Sequence, residues 1–149
     1  MSYTKIFDKL FIGGYDFASN LVSLKNEHIT HIVCCADELH PFFPNDFVYL
    51  CVNIFPDEPN VIINELRKGA KFINDALKEG AVLVHCTHGI TRSPTVVMAY
   101  MIEYLNFTSD DAFEAIRSER PVVSNTIYRK DLNTLEEIIR KENDISIKN

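Results

Sequence analysis

Two spacings of apolar residues alternate along the chain, period two and period three to four. Lys5 to Ile12 reads as short strand material that ends at the Gly13-Gly14 turn. Phe17, Leu21 and Leu24 have helical spacing, so Asp16 to Asn26 is expected as a helix with Asp16 as its cap. Ile29 to Ala36 is β-rich and reads as a buried strand. Pro41 and Pro44 mark a loop, and Phe47 to Ile54 is a further strand. A Pro-flanked acidic loop, Phe55 to Asn60, follows. Ile62, Leu66, Ala70, Ile73 and Leu77 form one apolar stripe, which predicts a helix from Val61 to Lys78 closed by Gly80. Ala81 to His85 lacks alternation, as a strand buried on both faces does. Ser93 to Asn106 is apolar nearly all round and should be a central helix. Thr108, with Asp111 at capping-box spacing, starts a helix to about Arg120. Pro121-Val122-Val123 breaks it. Ser124 or Asn125 caps a last helix to about Lys141, with Leu132, Leu135 and Ile139 inward and a polar, frayed tail from Glu142. Strands and helices that alternate in this way describe an α/β domain.

Length adds that 149 residues make one domain, expected over 1–149, with a core that needs no disulfides. The longest apolar run, Val96 to Ile102, is far short of the roughly 20 residues that span a bilayer. Neither a signal segment nor a lipidation motif stands at either end, so the expectation is a soluble cytoplasmic protein, with the nucleus also open. A net charge of −6 argues against nucleic acid as partner, which needs a basic face. Cys34, Cys35 and Cys51 lie in apolar, β-branched runs and read as small buried hydrophobes. Cys86 differs, because it ends a strand just before a polar turn.

That turn carries the chemistry: His85-Cys86-Thr87-His88-Gly89-Ile90-Thr91-Arg92-Ser93. A buried strand delivers Cys86 to the sheet edge where α/β folds place ligands. A loop that closes directly onto a helix can aim several backbone N–H groups inward and bind an anion such as phosphate. Gly89 permits the tight wrap, and Arg92 offers a planar fork of donors. The same field favours the thiolate of Cys86, an activated nucleophile.

His85-Cys86-x5-Arg92-Ser93 resembles the signature loop of cysteine-dependent protein tyrosine phosphatases, and Ser93 to Met101 is similar to the small dual-specificity branch. Leu10 to Gly13, Ala18, Leu24, Ile29 to Val33, Ala115 to Arg117, Arg120-Pro121 and Asn125 extend the resemblance over nearly the whole chain. It implies a mostly parallel five-stranded sheet flanked by helices. It also implies hydrolysis of phosphomonoesters on phosphoprotein Tyr and Ser/Thr through a cysteinyl-phosphate. Cys86 would be the nucleophile, Arg92 with the 87–91 backbone the phosphate cradle, and Asp57 the general acid, with Glu58 its local rival and Asp37 and Asp46 weaker ones. Ser93 would stabilise the departing thiolate, while His85 and Asn125 would support the loop. No cofactor or metal is implied, since Arg92 and the amides supply the positive charge.

The partner implied is a phosphorylated protein, a kinase among the candidates, and oligomeric state is unreadable. Thr87, His88, Ile90 and Thr91 stand where phosphoinositide-directed relatives usually carry lysines, which favours protein over lipid. The alternatives are a phospho-binding module without turnover and a phosphatase of non-protein phosphate esters. After Asn125 the family commonly has an aromatic and a Gln-Leu pair, where this chain reads Thr126 to Leu132. His28, His31, Cys34 and Cys35 have metal-like spacing, yet strand alternation parts the two thiols. Either thiol could instead pair with Cys86 on oxidation. Arg120, Arg129 and Lys130 could take a second phosphate, but solvated surface charge is the preferred reading of each.

Overall fold

The computed structural model describes residues 2–54, 59–124 and 128–148. Its strands are β1 (Tyr3–Phe7), β2 (Leu10–Gly13), β3 (Ile29–Cys34), β4 (Val48–Cys51) and β5 (Ala81–His85). They form one five-stranded sheet in the order β1-β2-β5-β3-β4. Only β1 and β2 are antiparallel; the other pairings are parallel, so the sheet is mixed and mostly parallel, as expected. The helices are α1 (Tyr15–Ala18), α2 (Leu21–Asn26), α3 (Pro59–Ala76), α4 (Arg92–Leu105), α5 (Ser109–Glu119) and α6 (Arg129–Lys148).

Period two sorts the central strand β5 between two cores. Val82 and Val84 point to the face covered by α3 to α6. Ala81 and Leu83 point to the opposite face, with Phe17 and Leu24 of α1 and α2. All five β5 residues are buried, which explains the missing polar alternation. Helix α4 lies against the first face, with residues Ser93 to Ile102 buried. Gly69 lets α3 approach it closely, since a Cβ there would stand 2.7 Å from Val96 Cγ1.

Several expectations need correction. The predicted strand from Lys5 to Ile12 is a tight hairpin, turned by Lys9 with its φ of 67°. The helix predicted from Asp16 to Asn26 is two, because the Asn20 side chain accepts from Ser23 N–H and restarts it. Cys51 is exposed, because β4 is the sheet's edge. The last helix does not end near Lys141 but runs to Lys148. Among the described residues, no helix is long and apolar enough to cross a membrane.

Candidate active site

Strand β5 ends at His85, and the 86–91 loop then wraps back onto the first turn of α4. A peptide plane points its C=O and the following N–H in opposite directions. Every carbonyl from Thr87 to Thr91 is held from outside the loop. Tyr15 N–H donates to Thr87 O at 2.8 Å, and Ser124 N–H to Ile90 O at 2.8 Å. Arg120 donates to His88 O at 3.3 Å and Gly89 O at 2.8 Å. Thr95 donates to Thr91 O through both its N–H and its hydroxyl. The N–H groups of residues 88 to 92 therefore face inward, as an anion-binding nest requires. Gly89 has a φ of +69°, and a Cβ there would stand 2.8 Å from both Gly13 O and Arg120 Nη2. Only glycine fits that position without displacing its neighbours.

Cys86 sits at the base of the nest, 3 % exposed. Its Sγ lies 3.2 Å from Ser93 Oγ and accepts the Gly89 N–H at 3.2 Å. Burial pushes the thiol's pKa up. The Ser93 hydroxyl, the Ser93 and Gly89 backbone and the Arg92 charge outweigh it, and the net shift is downward. The other buried thiols go the opposite way: burial pushes Cys34 up to about 11 and Cys35 well above the ordinary value. Thr91 is the N-cap, without a side-chain cap bond, and the Ser93 hydroxyl turns to the sulfur. His85 is fully buried, with Nδ1 3.4 Å from Cys86 O. Burial lowers its pKa to about 4, so the ring is neutral at physiological pH.

Sequence reasoning missed Glu38. Arg92 grips its carboxylate end-on, Nη1 to Oε1 at 2.8 Å and Nη2 to Oε2 at 2.6 Å. Thr87 Oγ1 donates to Glu38 Oε2 at 2.6 Å, and Arg92 Nη2 lies 3.3 Å from that hydroxyl. Arg92, then Thr87, hold the Glu38 carboxyl well below the usual carboxylate range. Asp37 is 3.8 Å from Arg92, whereas Asp46 pairs with Lys25 at 3.7 Å. Nothing in the spacing of Glu38 marked it; only its place just past a buried strand that abuts β5 could have.

Asp57, its rival Glu58 and Asn125 lie outside the described residues. Arg120 is not surface charge but 2 % exposed behind the loop. Arg129 pairs with Asp110 and lies over the Phe113 ring, 4.6 Å from its centroid. Tyr128 packs on the core, and burial raises its pKa. Burial raises the pKa of Asp131 in the same stretch. The side chain of His31 lies 2.7 Å from Thr30 Oγ1 and 3.3 Å from Glu79. All four cysteines are free thiols; Cys35 shares the core face of Cys86, and Cys34 does not.

The chain is similar to known proteins. The family described as "Dual specificity phosphatase, catalytic domain" matches residues 10–138. Dual specificity protein phosphatase 1 of Arabidopsis thaliana is 36% identical over 129 residues, covering 85% of this chain and 65% of its own. MAP kinase phosphatase with leucine-rich repeats protein 3 of Dictyostelium discoideum is 36% identical over 129 residues, covering 86% of this chain but 15% of its own. The chain thus spans less than two thirds of either relative. The crystal structure of human tyrosine phosphatase-like serine/threonine/tyrosine-interacting protein aligns with a TM-score of 0.82 and 32% identity, covering 91% of this chain and 96% of that one.

Proposed function

The chain belongs to the dual specificity phosphatase family, and on that footing we propose that it hydrolyses phosphomonoesters on phosphoprotein Tyr and Ser/Thr. The observation that supports turnover most directly is the Cys86 sulfur. It is buried, holds hydrogen bonds from Ser93 and Gly89, and its pKa is lowered. A buried thiol is inert unless its anion is stabilised, and this one is.

In the first step the Cys86 thiolate attacks phosphorus in line. The P–O bond breaks as the S–P bond forms, and Asp57 protonates the leaving oxygen. Arg92 and the N–H groups of residues 88 to 92 hold the equatorial oxygens. Glu38 fixes the far end of the guanidinium, and an end-on grip leaves the Nε edge of the fork for phosphate. In the second step water attacks the cysteinyl-phosphate, Asp57 takes its proton, and phosphate leaves. The Ser93 hydroxyl, 3.2 Å from Sγ, stabilises the returning thiolate. The charge stabilisation comes from protein groups, so the mechanism calls for no metal. The relative named as a MAP kinase phosphatase makes a phosphorylated kinase the first protein substrate to try.

A second reading, capture of phosphoprotein without turnover, has in its favour a solved relative named an interacting protein. Hydrolysis of an aryl phosphate in the presence of chelator separates the two. The expected result is turnover blocked by vanadate. Cys86→Ser should cut it to below about one thousandth, and Asp57→Asn by roughly a hundredfold. Full activity in Asp57→Asn would move the acid elsewhere, with Glu58 next. No turnover by the unaltered protein, together with measurable phosphopeptide affinity, would replace the enzyme reading with the binding one.

A further inference from the structure

Arg120, the residue that follows α5, is buried where a charged side chain is expected only with a partner. Its hydrogen bonds among the described residues go to Gly89 O from Nε at 2.8 Å, His88 O from Nη2 at 3.3 Å and Thr4 Oγ1 from Nη1 at 2.8 Å. None of these acceptors is a carboxylate. The other outward carbonyls of the loop are held by backbone N–H groups of Tyr15, Ser124 and Thr95, with the Thr95 hydroxyl added. Among the described residues, the two at the apex are held by this one side chain.

We propose that Arg120 is a positioning residue that locks the 88–89 and 89–90 peptide planes with their N–H groups toward Cys86 and the bound oxyanion. The consequence is visible at one of the planes. With His88 O held outward, Gly89 N–H points inward and meets Cys86 Sγ at 3.2 Å. With Gly89 O held outward, Ile90 N–H turns into the nest. Close packing leaves the guanidinium little play, because a single Cβ on Gly89 would stand 2.8 Å from Nη2. A cation behind the loop also favours negative charge in front of it.

The proposal deepens the phosphatase reading and rests on its oxyanion nest, but it can be tested without turnover. Among the described residues, the groups that face Cys86 are Arg92 and Ser93 of α4, Cys34 and Cys35 at the end of β3, Tyr128 before α6, and Arg120 behind the loop. Both thiols and the phenol have raised pKa values and are neutral at pH 7. Asp16 faces Arg120 from α1. The midpoint of Cys86 titration therefore reports on Arg92, Arg120 and the loop dipoles.

The experiment measures the rate of Cys86 alkylation by iodoacetamide against pH in the full chain, with the modified peptide read by mass. Arg120→Met should move the midpoint up by about one pH unit or more, from the lost N–H bond and the lost cation. Tungstate affinity should fall at least about tenfold with it. Arg120→Lys, which keeps the charge but cannot span both carbonyls and the Thr4 hydroxyl, should fall between. Arg67→Met, remote from the loop, serves as control for mere loss of stability and should leave the midpoint in place. An unchanged midpoint in folded Arg120→Met, or an equal shift in Arg67→Met, would overturn the proposal. If Arg120→Met does not fold, Arg120→Lys decides: a midpoint and tungstate affinity equal to the unaltered protein would overturn it. A low midpoint in the unaltered protein without turnover would sink the phosphatase reading alone.

Discussion

Single residues in this site are tuned by what encloses them, and His85 shows the size of the effect. Its ring is fully buried, and Nε2 has no hydrogen-bond partner among the described residues. Its pKa, about 4, lies well below the ordinary value of 6.5. Between those two values the unfolded chain binds a proton that the folded one refuses. The stability His85 contributes is thus fully present above pH 6.5 and is lost as pH falls toward 4. The loss is about 3 kcal/mol over that window. Denaturation measured from pH 7 to pH 4 should show this much extra destabilisation in the unaltered protein compared with His85→Asn. Carboxylates such as Glu38, with its lowered pKa, fall away at low pH in both proteins and cancel in the difference. Equal slopes would mean that the folded ring takes its proton at the same pH as the unfolded one. The residues that carry the chemistry were readable because Cys86, Arg92 and Ser93 sit in one short loop whose spacing has physical meaning. Glu38 and Arg120 were not, because each reaches the loop from a distant stretch of chain and only folding brings it there.

Elements were readable where one face is buried along its length and less so where a single contact decides the boundary. The stripe on α3 and the all-apolar α4 were recognised within a residue or two at each end. The Thr108 cap also stands as read, with its side chain accepting from Asp111 N–H. The C-terminus of α6 escaped because its anchor is an arginine on another helix. Arg67 of α3 donates to both oxygens of Glu142, at 2.8 Å each, and to Glu103 of α4 at 3.1 and 2.9 Å. A polar tail that composition says should fray is thereby tied down. Arg67→Ala should release it, with amide exchange over residues 142–148 rising toward that of free peptide. The fold should lose only about 1 kcal/mol, since the pairs are partly exposed and screened. Turnover of an aryl phosphate should not change, because this network does not touch the phosphate loop. Unchanged exchange protection in that stretch would show that α6 holds by its own propensity instead.

At the scale of the whole molecule, a body of net charge −6 has to accept a substrate that is itself an anion. Summed charge opposes entry, so attraction must come from short-range groups: the loop N–H groups, Arg92 and Arg120 behind them. The sequence disclosed the layered α/β plan and the place of Cys86 at the edge of a parallel sheet, since both follow from element order. It did not disclose how far the loop is tied to the rest of the fold. Tyr15 beside β2, Thr4 of β1 through Arg120, and Ser124 before α6 all reach its outer side. An oxyanion held by the inner side therefore closes a set of contacts that spans most of the molecule. Binding to the native state alone stabilises it by mass action, about 2.7 kcal/mol at a hundredfold excess over Kd. For a domain of this size that corresponds to a rise in Tm of roughly 5–10 °C. Tungstate should produce this rise in thermal unfolding, and Arg92→Met should abolish it. Sodium chloride at matched ionic strength should not reproduce it, since screening supplies no ligand to the nest. A rise that survives Arg92→Met would place the oxyanion elsewhere on the protein and separate the cradle from the nucleophile it surrounds.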